Sequence, residues 1–136
     1  MKREFSAGGI VVRRFQGRPF AAAVAPRRGV LALPKGHPDG DETMEQAATR
    51  EVREETGLEG ELMEKLDDAR YWYSRSGERV LKVVSFYLFR YRSGRIADHD
   101  REIEHVEWVP LDELPERLSY KGEKEIARKA VERFGQ

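Results

Sequence analysis

Apolar runs of strand length alternate along this chain with stretches of helical spacing. Phe5 to Phe15 (F-S-A-G-G-I-V-V-R-R-F) predicts a strand in which Gly8 and Gly9 permit a close approach or a bulge. Gln16-Gly17-Arg18-Pro19 predicts a turn and Phe20 to Ala25 a second short strand, so the two form a hairpin. A basic loop, Pro26-Arg27-Arg28-Gly29, leads to a short apolar segment from Val30 to Leu33. Two prolines and two glycines in residues 34–40 exclude regular structure there, leaving a loop that feeds a helix. Gly40 and Gly57 bracket that helix, with Asp41 as its expected N-cap, Glu42 and Glu45 in its first turn and Gly57 just past its end. Glu59 to Asp68 predicts a strand whose middle also reads as helix, and Ala69 to Ser74 carries Tyr71-Trp72-Tyr73 ahead of a turn at Ser76-Gly77-Glu78. Val80 to Tyr91 (V-L-K-V-V-S-F-Y-L-F-R-Y), β-branched and aromatic, is the strongest strand of the chain. A polar loop from Arg92 to Arg101 precedes a short strand, Val106 to Val109, closed by Pro110. Leu111 to Leu118 predicts a short helix and Gly122 to Phe134 an amphipathic one, with Ile126, Ala127, Ala130, Val131 and Phe134 on one side.

The first helix carries a conflict. With Glu51 at zero, Glu55 falls at about 40° and Glu54 at about 300° around the axis. Met44, Ala47, Ala48 and Val52 fall at about 20°, 320°, 60° and 100°. One face is therefore apolar in its first turns and acidic in its last. Carboxylates stand in the stripe that should meet the core, they repel one another at i,i+3 and i,i+4, and they sit at the end where the helix dipole disfavours anions. Each of these costs a few tenths to about 1 kcal/mol. A divalent cation held by oxygen ligands would remove the conflict, and carboxylates without nitrogen or sulfur partners suit Mg²⁺ or Mn²⁺. A solvated acidic helix end, salt-bridged by Arg50 and Arg53, would relieve it too. Helix physics alone leaves both readings open.

Composition narrows the classes. The 136 residues suit one domain with one core. Apolar residues at 39% and charged residues at 37% are compatible with a folded domain. Lys plus Arg equals Asp plus Glu at 25 each, which argues against a protein that coats nucleic acid or an anionic membrane. The absence of cysteine excludes disulfides and thiolate metal sites. Met-Lys-Arg-Glu opens the chain without the apolar stretch of a signal peptide or membrane span, so cytoplasmic residence is the expectation.

The stretch from Gly36 to Leu58 resembles the Nudix box at Gly36, Glu42, Arg50, Glu51, Val52, Glu54, Glu55, Gly57 and Leu58, with the spacing of that pattern throughout. Membership in this superfamily implies an α/β/α sandwich with a central mixed β-sheet, here as one domain over residues 1–136. It also implies a Mg²⁺- or Mn²⁺-dependent hydrolase that cuts a diphosphate linkage in a nucleoside diphosphate attached to another group. The resemblance assigns Glu51, Glu54 and Glu55 to the metal, with the Gly36 carbonyl as a further ligand. Arg50 then orients one of these carboxylates. Glu42 reads as a structural group. The base that activates water is Glu54 in some members and a glutamate of a later loop in others. Glu102 and Glu104 are the later candidates, and Glu102 matches better because it stands six residues before Trp108.

Anionic substrate needs cations, and Arg27, Arg28 and Lys35 cluster before the box. His37, just after Gly36, lacks a visible partner. Lys82, isolated in V-L-K-V-V, reads as a phosphate contact or a snorkelling stem. Tyr71 and Tyr73 share one face of a strand and Trp72 the other, so the trio cannot serve one ligand, and Trp72 is expected to pack in the core. The segments F-S-A-G-G-I, L-P-K-G-H, Y-W-Y-S-R-S-G-E-R-V-L-K and Y-K-G-E-K-E-I resemble the bacterial diadenosine tetraphosphate hydrolases of the superfamily, and MutT-like proteins share several of them. That resemblance implies adenine stacking on Tyr73 and Tyr120 and phosphate contacts from Lys82, with Arg28 and Lys35 as further basic candidates. The implied reaction turns diadenosine tetraphosphate into ATP and AMP. Two alternatives stand beside it: cleavage of an oxidised nucleoside triphosphate or nucleotide sugar, and a Nudix-fold nucleotide-binding module without catalysis.

Overall fold

A computed structural model of the protein describes residues 1–134. Its strands are β1 (Lys2–Phe15), β2 (Arg18–Ala25), β3 (Lys35–Gly36), β4 (Leu58–Arg75), β5 (Glu78–Gly94) and β6 (His105–Pro110). Its helices are α1 (Met44–Thr56), α2 (Leu114–Arg117) and α3 (Lys121–Phe134), with single 3₁₀ turns at Ile96–Asp98 and Leu111–Glu113. The strands form one mixed sheet in the order β4-β5-β1-β2-β6, with β3 paired to β1. β1 runs parallel to β5 and antiparallel to β2 and β3.

Alternation along the strands builds the layers. Val84, Phe86 and Leu88 of β5, with Ile10 and Val12 of β1, face the side covered by Leu114, Ile126, Ala127 and Ala130 of the C-terminal helices. The intervening Tyr87 and Phe89, with Ala7 and Val11, pack on the other face against Ala47, Ala48 and Val52 of α1. The α/β/α sandwich with a mixed sheet is therefore as expected. No helix among the described residues is long and apolar enough to cross a membrane.

Three local expectations need correction. Asp41 is not the N-cap of α1. Thr43 is, in a capping box in which its hydroxyl accepts from the Gln46 amide and the Gln46 side chain accepts from the Thr43 amide. Residues 34–40 are not wholly irregular either, because Lys35 and Gly36 pair with Gly8 and Ala7. Trp72 does not enter the core. The β4–β5 ribbon runs past the helices, residues 72–79 are all exposed, and Trp72 stands 51% exposed with the Arg79 guanidinium 4.4 Å from its ring centroid.

Gly8 is what lets the box loop reach β1. A Cβ there would lie 2.1 Å from the Pro34 carbonyl oxygen and 2.8 Å from Lys35 Cβ. Neither neighbour is the loose end of a side chain. Gly8→Ala is therefore expected to destabilise the protein by about 1–3 kcal/mol, read as a lower urea midpoint. An unchanged midpoint would mean that the loop does not press on the strand.

Candidate active site

α1 carries the acidic cluster to the sheet. Gly57, at φ 79°, ends the helix in the left-handed conformation, and its amide donates to the Arg53 carbonyl. Arg50 is the hub of the cluster. Its Nε and Nη2 donate to the two Glu42 oxygens at 2.8 and 2.9 Å, a bidentate fork. Nη1 donates to Glu54 at 3.0 Å and to Glu51 at 3.3 Å, and Nη2 also donates to the His37 carbonyl at 2.9 Å. These bonds from Arg50, joined by the Asp39 amide, hold the Glu42 carboxyl down at about 2. Hydrogen bonding to Glu42 raises Arg50 further above its already high value.

Glu51 and Glu55 face the opposite electrostatic situation. Burial pushes the Glu55 carboxyl up from its ordinary 4.5 to about 7, against the Lys35 amide that donates to it at 3.3 Å. Burial also raises Glu51, opposed by Arg50 and reinforced by Glu54. Gly36 lies directly on Glu51, since a Cβ on that glycine would fall 1.9 Å from the Glu51 Oε2. The donor set of carboxylate oxygens suits a hard divalent cation. Among the described residues no three His, Asp or Glu groups are gathered as a finished cage, and Glu54 is engaged by Arg50.

Two small cavities lie on the Lys35 side of the cluster. One of about 270 Å³ is lined by Ser6, Lys35, Gly36, His37, Glu55 and Lys82 among others. The second, about 220 Å³, is lined by Lys35, Tyr71, Lys82 and Tyr120. Lys35 and Lys82 border both. Lys35 Nζ pairs with Glu123 at 2.7 Å and lies 5.4 Å from the Tyr120 ring centroid. Lys82 has no ion-pair partner among the described residues. The Tyr71 hydroxyl is buried without a hydrogen-bond partner there, and burial, with the Glu123 charge behind it, raises its pKa. His37 places Nδ1 3.1 Å from the Phe5 carbonyl and 3.3 Å from Ser6 Oγ.

The fold thus brings Gly36, Arg50, Glu51, Glu54, Glu55, Lys35, Lys82 and Tyr120 to one region. Tyr73 stands apart from the tyrosine-lined cavity, its hydroxyl donating to Glu4 beside Arg75. Arg28 is exposed in the loop after Pro26, a residue of the larger cavity's wall. Glu102 is exposed, and its amide donates to Asp100 Oδ1 at 3.1 Å. Two groups escape a reading of the sequence. Asp100 donates its amide to the Glu54 carbonyl at 2.9 Å, and its charge helps to raise Glu55. Glu123 is fully buried behind Lys35. The run D-H-D-R-E is the only hint of the first, and nothing local announces the second.

This geometry has relatives. MutT4 of Mycobacterium tuberculosis, named as a candidate mutator protein, is 45% identical over 137 residues, covering 95% of this chain and 55% of that protein. The 8-oxo-(d)GTP phosphatase of Mycolicibacterium smegmatis is 31% identical over 121 residues, covering 86% of this chain and 36% of that protein. The chain therefore spans about half or less of the length of these relatives. Among solved structures, a C. elegans Ap4A hydrolase binary complex superposes with a TM-score of 0.74 at 19% identity, covering 97% of this chain and 98% of that one, which is a likeness of fold. The NUDIX domain family model matches residues 3–134, and the chain belongs to that family.

Proposed function

We propose that this chain is a single Nudix unit that hydrolyses a phosphoanhydride bond in a small nucleotide, using Mg²⁺ or Mn²⁺ at Glu51, Glu54, Glu55 and the Gly36 carbonyl. Nudix hydrolases generally use divalent cations. The observation that carries the reading is the pair of half-buried, raised carboxyls Glu51 and Glu55, the first set against a glycine with no room for a side chain. Partly desolvated acids so placed are costly unless a cation or a proton neutralises them.

A divalent cation supplies, when bound, charge neutralisation at the phosphate and a more acidic water. The chain's own groups do the rest. Glu54, freed from Arg50, accepts the proton of the attacking water, with Glu102 as the alternative base. The water oxygen bonds to phosphorus, and the bond from that phosphorus to its bridging oxygen breaks. Arg50 keeps Glu42, Glu51 and Glu54 in register. Lys82 holds the phosphate chain, with Lys35, paired to Glu123, beside it and Arg28 at the edge. Tyr120, with Tyr71 of the same cavity, stacks the base, and Tyr73, outside that cavity, does not share this role.

As substrate we infer a dinucleoside polyphosphate such as diadenosine tetraphosphate, yielding ATP and AMP. Support comes from the cavity that joins two tyrosines to two lysines next to the acidic cluster. A second reading, an oxidised nucleoside triphosphate, draws support from the names of the relatives from Mycobacterium and Mycolicibacterium.

Three outcomes are expected. In a panel with Mg²⁺, diadenosine tetraphosphate is turned over to ATP and AMP faster than 8-oxo-dGTP or a nucleotide sugar, and the reverse order selects the second reading. Glu54→Gln lowers kcat by about 10²–10⁴-fold, and Glu102→Gln by much less. Wild-type turnover in Glu54→Gln would dismiss the assigned chemistry. The third outcome concerns pH. The folded protein retains a proton on Glu55 between 4.5 and about 7 that the unfolded chain has released. Its contribution to stability is complete below the lower value and lost as pH rises through the upper one. Mg²⁺ should therefore raise the unfolding midpoint more at pH 8 than at pH 5, relative to the protein in chelator. Equal shifts at both values would detach Glu55 from the cation.

A further inference from the structure

One buried carboxylate of α3 reaches the box loop and has no part in the reaction above. Glu123 is 0% exposed in the first turn of that helix. Its Oε1 accepts from the Leu33 amide at 2.8 Å, and its Oε2 lies 2.7 Å from Lys35 Nζ. Lys35 Nζ also donates to the Leu33 carbonyl at 3.3 Å. A carboxylate removed from water in this way persists only with strong partners. Both partners come from one three-residue stretch, and that stretch is the entry to the site.

The backbone between those partners and the acids gives the contact its meaning. Pro34 accepts from the Gly9 amide at 3.2 Å, and the Lys35 amide donates to Glu55 at 3.3 Å. Gly36 pairs with Ala7 of β1 and presses on the Glu51 carboxylate. The strand β1 therefore holds the segment from one side and Glu123 holds it from the helical layer. Leu33 also packs in the core with Ile126 and Ala127, and Glu123 adds the polar contacts from α3 to this segment.

We propose that Glu123 is a positioning residue for the cation site, acting through Leu33 and Lys35 on the backbone of Pro34 to Gly36. This rests on the reading of Glu51 and Glu55 as cation ligands. Glu123→Gln keeps an acceptor for the Leu33 amide and removes the anionic partner of Lys35. The double variant Lys35→Met/Glu123→Gln removes both charges, so no buried ion is stranded and folding is retained.

Three measurements on the full chain separate positioning from simple core filling. In cation-free protein the Leu33 and Lys35 amides should exchange with solvent about tenfold faster in either variant, beyond any change in global stability measured in urea. Mn²⁺ affinity by calorimetry should fall about tenfold, and the Mg²⁺ concentration for half-maximal turnover should rise in step. A folded double variant with wild-type exchange and wild-type Mn²⁺ affinity overturns the role of Glu123 and leaves the cation site standing. Wild-type protein that binds no Mn²⁺ overturns the cation site itself, and this role with it.

Discussion

Like charge packed into the last turns of one helix is the constraint around which this molecule is arranged. Three carboxylates at i, i+3 and i+4 destabilise a helix that ends beside them, and burial of two of them raises the cost. Arg50 offsets part of it by bonding to Glu42, Glu51 and Glu54 together. Its fork on Glu42 matters most for geometry, because Glu42 lies before the helix and also accepts from the Asp39 amide at 2.8 Å. One guanidinium thereby ties the loop that enters α1 to the turn that leaves it. Glu55 lies beyond its reach and carries the largest unrelieved burden, which is why its carboxyl rises to about 7.

The balance of charge decides what can enter. Glu42, Glu51, Glu54, Glu55 and Glu123 stand against Arg50, Lys35 and Lys82. Arg50 is committed to the first three and Lys35 to Glu123, which leaves Lys82 as the cation of the cavity wall without an ion-pair partner among the described residues. A polyphosphate approaching that set of groups meets net repulsion. In the proposed reaction the divalent cation therefore has to offset that repulsion, and Lys82 alone cannot recruit the substrate.

Much of the fold is legible in the sequence because its signals are local. Val80 to Tyr91 and the α1 and α3 stripes follow from periodicity, and Glu51, Glu54 and Glu55 are neighbours on one helix. β4 is harder, since Leu58, Leu62 and Leu66 recur at helical spacing. Register shifts at Glu59/Gly60, Leu62/Glu64 and Lys65/Asp67 reset the alternation and let those leucines sit on a strand. The cap falls at Thr43 and not at Asp41 because Thr43 has Gln46 three residues on to complete the reciprocal pair. Trp72 departs from expectation because strand alternation specifies a face and not whether anything covers it. Glu123 lies out of reach altogether, as its partner Leu33 is 90 residues away.

The position of the base depends on how the later loop is fastened. Asp100 donates its amide to the Glu54 carbonyl, so the loop after the 3₁₀ turn is pinned to the end of α1. Gly57 permits that contact, since a Cβ there would lie 2.4 Å from the Arg95 carbonyl oxygen. The Asp100 side chain then caps the Glu102 amide, and Glu102 remains exposed. In the proposed reaction Glu102 would serve the acidic cluster from a loop that these two bonds fasten to the end of α1. Glu54 is itself part of that cluster. It already stands on the helix among its neighbours, restrained by one bond from Arg50, and a change of rotamer frees it. In the proposed reaction its place in the cluster favours Glu54 as base.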